Sequence, residues 1–219
     1  MSSPEAGVSS PAAGLTRAAA VRRASWLTTA TIGWNVVEGV VAVAAGIAAG
    51  SIGLIGFGLD SAVEVSTAVV LAWRLAQERR GGCMAGYDRR ATRAIAVCFG
   101  ALGLYVGVEA ARQLFAREAP DASAVGIALA ALSVAVMPAL ARAKRRLGPV
   151  LGSRAVVSEA RQTELCAWMS GVLLAGLVAN AALGWWWADP VAALGIAAVA
   201  GAEAARTWRA ESLEDTCCG

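Results

Sequence analysis

The sequence predicts an all-α membrane protein with six transmembrane helices, and two properties of the chain lead to this fold class. First, 58% of the 219 residues are apolar and only 16% are charged, whereas soluble domains are nearer ~45–50% apolar and ~25% charged. Second, the chain contains six mainly apolar stretches, each near the ~20 residues that a helix needs to cross a bilayer. These properties argue against both a soluble globule and a disordered chain.

Each apolar stretch justifies one helix. In chain order the predicted spans are 25–49, 52–75, 93–115, 122–141, 156–183 and 185–207. Only Gly50 and Ser51 separate the first two spans, which predicts a tight helical hairpin. The predicted domain organisation is a disordered cytoplasmic tail (1–24), a six-helix transmembrane domain (25–208) and a short cytoplasmic tail (209–219).

The distribution of basic residues predicts the orientation of the chain in the membrane. With six spans, all of the 19 Lys and Arg residues except Arg112 and Arg117 fall on one side. The positive-inside rule assigns that side to the cytoplasm. The sole lysine, Lys144, is counted here with the connection between the fourth and fifth helices. Both termini are therefore predicted to be cytoplasmic, and the Arg- and Ala-rich composition favours a bacterial cytoplasmic (inner) membrane.

The composition also excludes several classes of function. The chain has no histidine, which removes His-based catalysis and His-ligated metal sites. A net charge of +3 is too small to suggest nucleic acid as a partner. The five cysteines form no spaced framework for a disulfide-stapled fold. No nucleophile constellation is present, so the protein is not expected to be an enzyme.

Asp60 and Glu64 are the main functional candidates, because a charge inside a bilayer costs several kcal/mol. Their i, i+4 spacing puts both carboxylates on one face of the second helix. Mutual repulsion would force at least one of them to take a proton unless a cation lies between them. Such a pair is the elementary part of a cation/proton exchanger. The alternative is a protonated pair that is hydrogen-bonded to neighbouring helices.

Gln162 and Cys166 have the same i, i+4 spacing on the fifth helix. Glutamine offers a carbonyl oxygen, and cysteine offers a thiolate when a metal favours its deprotonation. With the two carboxylates they could complete a four-coordinate metal site without histidine. The alternative for Cys166 is a small apolar filler of the helix packing.

Other polar residues in the spans are candidates for groups that contact the metal ligands or line the path of the ion: Asn35, Glu38, Glu159 and Ser170. Glu109 and Glu203 have Arg112 and Arg206 three residues later, so their alternative role is an ion pair within one helix. Asp189 is interpreted as a structural cap of the sixth helix.

The C-terminal tail ends with the vicinal cysteines Cys217 and Cys218 beside Glu214 and Asp215. This pattern could capture a soft metal ion. The alternative is a flexible reduced tail.

Two segments resemble the cation diffusion facilitators, also called the cation efflux family. They are residues 50–64, GSIGLIGFGLDSAVE, and residues 158–190, which begin SEARQTELCAWMS and end in Asp189-Pro190. They look like the second, fifth and sixth helices of the family, and the resemblance extends over 26–208. It implies six helices, cytoplasmic termini, a homodimer, and exchange of Zn²⁺ or a related divalent cation for protons by alternating access, with no permanently bound cofactor.

The resemblance also implies a ligand set. The family uses an (Asp/His)-xxx-Asp pair on the second helix and a (His/Asp)-xxx-Asp pair on the fifth. Asp60 and Glu64 take the positions of the first pair, Gln162 and Cys166 take those of the second, and Glu159 matches an acidic residue three positions earlier. This chain differs at three of these four ligand positions and resembles a short branch that lacks the C-terminal cytoplasmic domain. A sulfur ligand favours Zn²⁺, followed by Cd²⁺ or Co²⁺, over Mg²⁺ and Ca²⁺.

Three other interpretations stay open at this point. The first is a non-transporting membrane scaffold or metal sensor with a degraded site. The second is a transporter of an organic cation. The third, and least supported, is an intramembrane enzyme that uses the two carboxylates of the second helix. The expected partners are a divalent metal ion, protons, the lipid bilayer and a second copy of the chain.

Overall fold

The computed structural model describes residues 17–78, 85–151 and 154–210. These ranges contain six α-helices and no strand: α1 (Arg17–Ala49), α2 (Ile52–Glu78), α3 (Ala85–Ala116), α4 (Ala124–Leu151), α5 (Arg154–Leu183) and α6 (Ala188–Ala210). The predicted all-α class is confirmed. Within the described part of the chain, α1, α3, α4, α5 and α6 are long and apolar enough to cross a membrane. Helix α2, 27 residues long, packs against α1, α3, α5 and α6.

Several helices are longer than the apolar stretches that predicted them. Helix α1 begins at Arg17, so residues 17–24 are helical, which corrects the predicted tail boundary at residue 24. Apolar length marks only the part of a helix that suits the bilayer, and Ala and Arg are good helix formers that continue it further. At the other end, α6 begins at Ala188 instead of Trp185, because Gly184 ends α5 in the left-handed conformation with φ of 65°.

Small residues set the closest helix–helix contacts. A Cβ on Gly58 of α2 would lie 2.9 Å from the carbonyl oxygen of Gly39 on α1, and one on Gly103 of α3 would lie 3.0 Å from that of Ala197 on α6. Such close backbone approach is typical of membrane helices, where packing drives association. The outer surface carries large apolar side chains such as Leu104, Phe115 and Trp168, which are 70%, 91% and 72% exposed. The helices therefore bury glycines such as Gly39 and Gly58 at their closest contacts and expose large apolar side chains, as a lipid-facing bundle does.

Asp189 caps α2 from a position 136 residues away in the chain. Its carboxylate accepts hydrogen bonds from Ser51 Oγ at 2.7 Å and from the backbone N–H of Gly53 at 3.3 Å. Ser51 Oγ in turn accepts from the N–H of Leu54 at 3.1 Å. These bonds satisfy N–H groups that an uncapped first turn leaves without partners. The expected cap of α6 is thus a cap of α2, which fixes where the helix carrying Asp60 begins.

Candidate metal centre

Glu38 joins four helices at the centre of the bundle. Its side chain, on α1, is fully buried. Oε2 accepts a hydrogen bond from Ser61 Oγ of α2 at 3.0 Å, and Oε1 accepts from Trp34 Nε1 at 3.2 Å and from Ser133 Oγ of α4. Cys166 Sγ of α5 lies 3.9 Å from Oε2. The sequence predicted Glu38 as a group beside the site, and the structure makes it the residue on which α1, α2, α4 and α5 converge.

Asp60, Glu64 and Cys166 lie around this glutamate. Their exposed fractions are 8%, 5% and 2%. Glu64 interacts with the side chains of Asn35 and Cys166. The charges of Glu64, Glu38 and Glu203 act on Asp60, and those of Glu64, Glu38 and Asp60 act on Cys166. Three of the four predicted ligands are therefore neighbours between α2 and α5. We call Glu38, Asp60 and Glu64 the carboxylate cluster.

The other predicted site residues have different placements. Gln162 is half-buried one turn before Cys166 on α5. Ser170 is buried, and its hydroxyl donates to the carbonyl oxygen of Cys166 at 2.7 Å, so it bonds to its own helix. Asn35 is buried, and its Oδ1 has no hydrogen-bond partner among the described residues. The side chain of Glu159 and the residues Cys217 and Cys218 lie outside the described part.

The geometry is that of a polar cluster rather than of a closed metal site. No group of three or more Cys, Asp and Glu side chains in the described ranges is arranged to hold a metal ion. The four-residue ligand set therefore stays a prediction.

Comparison with known proteins decides the family. The cation efflux transmembrane domain matches residues 28–213. The chain belongs to the cation efflux family. Together with its long apolar helices, this match makes the chain a multi-pass membrane protein with the fold of a cation efflux transmembrane domain. The family resemblance stated from the sequence is confirmed.

An uncharacterised transporter of Synechocystis sp. is 28% identical to this chain over 155 residues. The match covers 67% of this chain and 49% of that protein. The cation efflux chain described here thus spans about half the length of this curated relative.

Lys144 is a buried cationic residue of this cation efflux protein, and the sequence did not indicate its burial. It was counted with a connecting segment, but α4 continues to Leu151, and the side chain of Lys144 is only 1% exposed. Its Nζ donates to Thr163 Oγ1 of α5 at 3.2 Å, and its charge acts on Glu64. The periodicity of α4 held the missing signal: Lys144 lies three residues after the buried Ala141, which follows the buried Met137 by four.

Two other carboxylates in the helices of this cation efflux protein, Glu109 and Glu203, have ion-pair partners on their own helices. Glu109 pairs with Arg112 at 2.5 Å, and Glu203 pairs with Arg206 at 2.7 Å. Both pairs are i, i+3 within one helix, as the alternative role of these glutamates predicted. Among the described residues, Arg112 is the charged group that acts on Glu109, so Glu109 offers a matched control position for tests of the carboxylate cluster, whereas the charge of Glu203 acts on Asp60.

Proposed function

We propose that this cation efflux protein transports a divalent metal cation, Zn²⁺ in the first place, through a site formed by Asp60, Glu64, Gln162 and Cys166. The observation that carries the proposal is the burial of Asp60, Glu64 and Cys166 as neighbours where α2 packs against α5. Buried carboxylates in a membrane are costly and mark ion pathways by default. A substrate cation between the helices would compensate their charge.

The donor set favours a borderline metal ion. Carboxylate and amide oxygens together with one sulfur suit Zn²⁺, Cd²⁺ or Co²⁺, whereas Mg²⁺ and Ca²⁺ prefer oxygen ligands only. Asn35 adds a buried amide oxygen on the α1 side, and the side chain of Asn35 also hydrogen-bonds to Glu64. Glu38, with its hydrogen bonds to three side chains, holds the four helices in register beside the site.

Proton exchange follows from the crowding of acidic groups. Neighbouring carboxylates cannot all keep their charge at low dielectric unless cations or protons compensate them. In the proposed cycle a metal ion entering from the cytoplasm displaces protons from Asp60 and Glu64. A change of helix packing then opens the site to the opposite side, where protons displace the metal ion. In this proposal the chain crosses the membrane six times with both termini in the cytoplasm, forms a homodimer and lies in a bacterial cytoplasmic membrane.

Metal flux into proteoliposomes tests the proposal. Vesicles holding a zinc-sensitive dye and an imposed pH gradient are compared for the wild type, Asp60→Asn and Glu109→Gln. Because the proposal assigns Asp60 to the metal site, we expect its variant to lose at least about 90% of the Zn²⁺ flux. Glu109→Gln, which also removes an acidic group from a membrane helix, should stay within about twofold of wild type.

The possible results separate the alternatives. Wild-type flux that rises with the pH gradient and is lost in Asp60→Asn supports the antiporter. No wild-type flux of Zn²⁺, Cd²⁺ or Co²⁺ would overturn it in favour of a scaffold or sensor. Flux of an organic cation that ignores Cys166→Ala and is not inhibited by metal ions would indicate a different substrate.

A further inference from the structure

A cavity of about 410 Å³ lies at the end of the bundle where α1 ends, α2 begins and α3 ends. Ile52 and Ile55 of α2 line it, and both pack in the same core as Val106 of α3. Phe57, on another side of α2, packs instead in the core that contains Cys166 of α5. The cavity is therefore separate from the carboxylate cluster, and the proposed transport does not use it.

Gln113 brings an unused hydrogen-bond acceptor to this cavity. Its side chain lines the cavity and is only 8% exposed. Nε2 donates to the carbonyl oxygen of Gly50 at 3.1 Å, and because a carbonyl oxygen only accepts, this bond fixes which end of the amide is the nitrogen. The amide oxygen Oε1 is buried and has no hydrogen-bond partner among the described residues. Since a buried acceptor without a partner is costly, this oxygen indicates a ligand that carries an N–H or O–H donor.

Arg112 and Glu118 form a charged rim beside this acceptor. Arg117 follows α3 with a left-handed φ of 54°, and the N–H of Glu118 donates to the carbonyl oxygen of Gln113 at 3.1 Å, an arrangement that ends a helix and turns the chain back. The turn leaves Glu118 Oε2 3.6 Å from Arg112 Nη2, which also pairs with Glu109. Two carboxylates around one guanidinium give the rim an excess of negative charge, which favours a ligand with a positively charged group.

Two apolar side chains of the cavity are also exposed on the outer surface of the bundle. Ile47 of α1 and Tyr105 of α3 line the cavity, and they are 69% and 50% exposed. The cavity thus has an apolar wall next to a charged rim, and it lies at helix ends, the level at which lipid headgroups meet a membrane protein. A membrane phospholipid combines the apolar chains and the charged headgroup that these two parts require.

We propose that this cavity binds phosphatidylethanolamine. Gln113 Oε1 and Glu118 accept hydrogen bonds from its ammonium group, Arg112 donates to its phosphate, and Ile47 and Tyr105 contact its acyl chains. Phosphatidylcholine has no N–H donor, because its nitrogen carries three methyl groups. Phosphatidylglycerol adds a negative charge to a site that already has an excess. The inference is independent of the proposed metal transport and uses only the membrane location of the chain.

Native mass spectrometry of the delipidated protein, titrated in detergent with one phospholipid at a time, tests this inference. With identical acyl chains, the first molecule of phosphatidylethanolamine should bind at least about fivefold more tightly than phosphatidylcholine or phosphatidylglycerol, because it brings N–H donors without adding net charge. Equal affinities for the three lipids, or tighter binding of phosphatidylglycerol, would overturn the inference. Free phosphoethanolamine lacks the acyl chains and should bind at least about tenfold more weakly than the lipid. Equally tight binding of phosphoethanolamine would indicate a soluble ligand and overturn the assignment to a lipid.

Single substitutions distinguish the two charged groups of the lipid. Glu118→Gln should weaken binding of phosphatidylethanolamine at least about threefold and leave phosphatidylcholine nearly unchanged, whereas Arg112→Gln should weaken both lipids, since both carry the phosphate. The matched controls Glu164→Gln and Arg206→Gln change exposed members of ion pairs outside the cavity lining, and they should alter neither affinity. Gln113→Met removes the amide oxygen and should also lower the preference for phosphatidylethanolamine at least about threefold. A folded Glu118→Gln or Gln113→Met protein that keeps the full preference would overturn the inference.

Discussion

Removal of the carboxylate of Asp189 should loosen the start of α2. In Asp189→Ala, Ser51 Oγ and the N–H of Gly53 lose an acceptor at 2.7 and 3.3 Å. Loss of a helix N-cap costs ~0.5–2 kcal/mol, and a hydrogen bond between membrane helices contributes ~0.6 kcal/mol and at most ~1.7. The hydrogen bond from Gly53 is included in both the cap estimate and the interhelical estimate, so the two overlap. We therefore expect a total loss in the free energy of unfolding near ~2 kcal/mol. The isosteric Asp189→Asn keeps an acceptor oxygen and should cost less than ~1 kcal/mol.

Equilibrium unfolding in mixed micelles with a rising fraction of denaturing detergent measures this cost, and tryptophan fluorescence reports the folded fraction. Ser51 belongs to the same network, so Ser51→Ala combined with Asp189→Ala should cost less than the sum of the two single variants. The explanation would be refuted if Asp189→Ala unfolded within ~0.5 kcal/mol of wild type. Equal losses in the Ala and Asn variants would also contradict it, because the lost acceptor would then not be the cause.

Three further predictions use the same unfolding measurement. Gly58→Ala places a Cβ 2.7 Å from Val43 Cγ2, and this overpacking should cost ~1–3 kcal/mol. In Gly171→Ala the new Cβ has no neighbouring side chain or other helix within 4 Å, so this variant should be neutral or slightly stabilising. Equal costs in the two variants would contradict the packing argument. Ser133→Ala removes a donor to Glu38 and should cost ~0.6–1.7 kcal/mol, whereas Ser66→Ala, which removes an exposed bond to its own helix, should cost under ~0.5 kcal/mol. Glu38→Gln should lower the free energy of unfolding by less than ~1 kcal/mol, because an amide can both accept and donate hydrogen bonds. Glu38→Ala leaves buried donors without an acceptor and should lower it by at least ~2 kcal/mol. A smaller loss in the Ala variant would show that Glu38 does not join the helices.

The helices could be predicted because the bilayer imposes a simple rule of length and polarity. The end of α1 at Ala49 was predictable too, since Gly50 takes a φ of 66° that favours glycine. The start of α1 was not, because residues 17–24 leave the apolar stretch while keeping good helix propensity. Hydropathy reports which segment of a chain is apolar enough to lie in the bilayer, and it does not report where the helix begins or ends.

Asp60 and Glu64 were predictable as site candidates for a similar reason: an acidic residue is conspicuous in an apolar stretch. Ser133 was not, because a serine in a helix usually bonds to its own backbone, as Ser170 does. Only the packing of α4 against α1 directs the hydroxyl of Ser133 to Glu38. Lys144 was missed because charge counting assigned it to a connection before the side of its helix was considered.

The position of Glu38 has a consequence for how the protein is made. Its hydrogen-bond partners follow it along the chain by 23 residues for Ser61 and 95 for Ser133, and Cys166 comes 128 residues later. When α1 leaves the ribosome, its acidic group has only Trp34 of its own helix within reach, and a lone charge at mid-membrane costs at least ~2.5–3.5 kcal/mol. Entry of α1 together with α2 as a hairpin supplies Ser61 at once. The contacts of Glu38 with Ser133 and Cys166 can form only after α4 and α5 have been synthesised, so the first helix receives its last polar partner from the fifth.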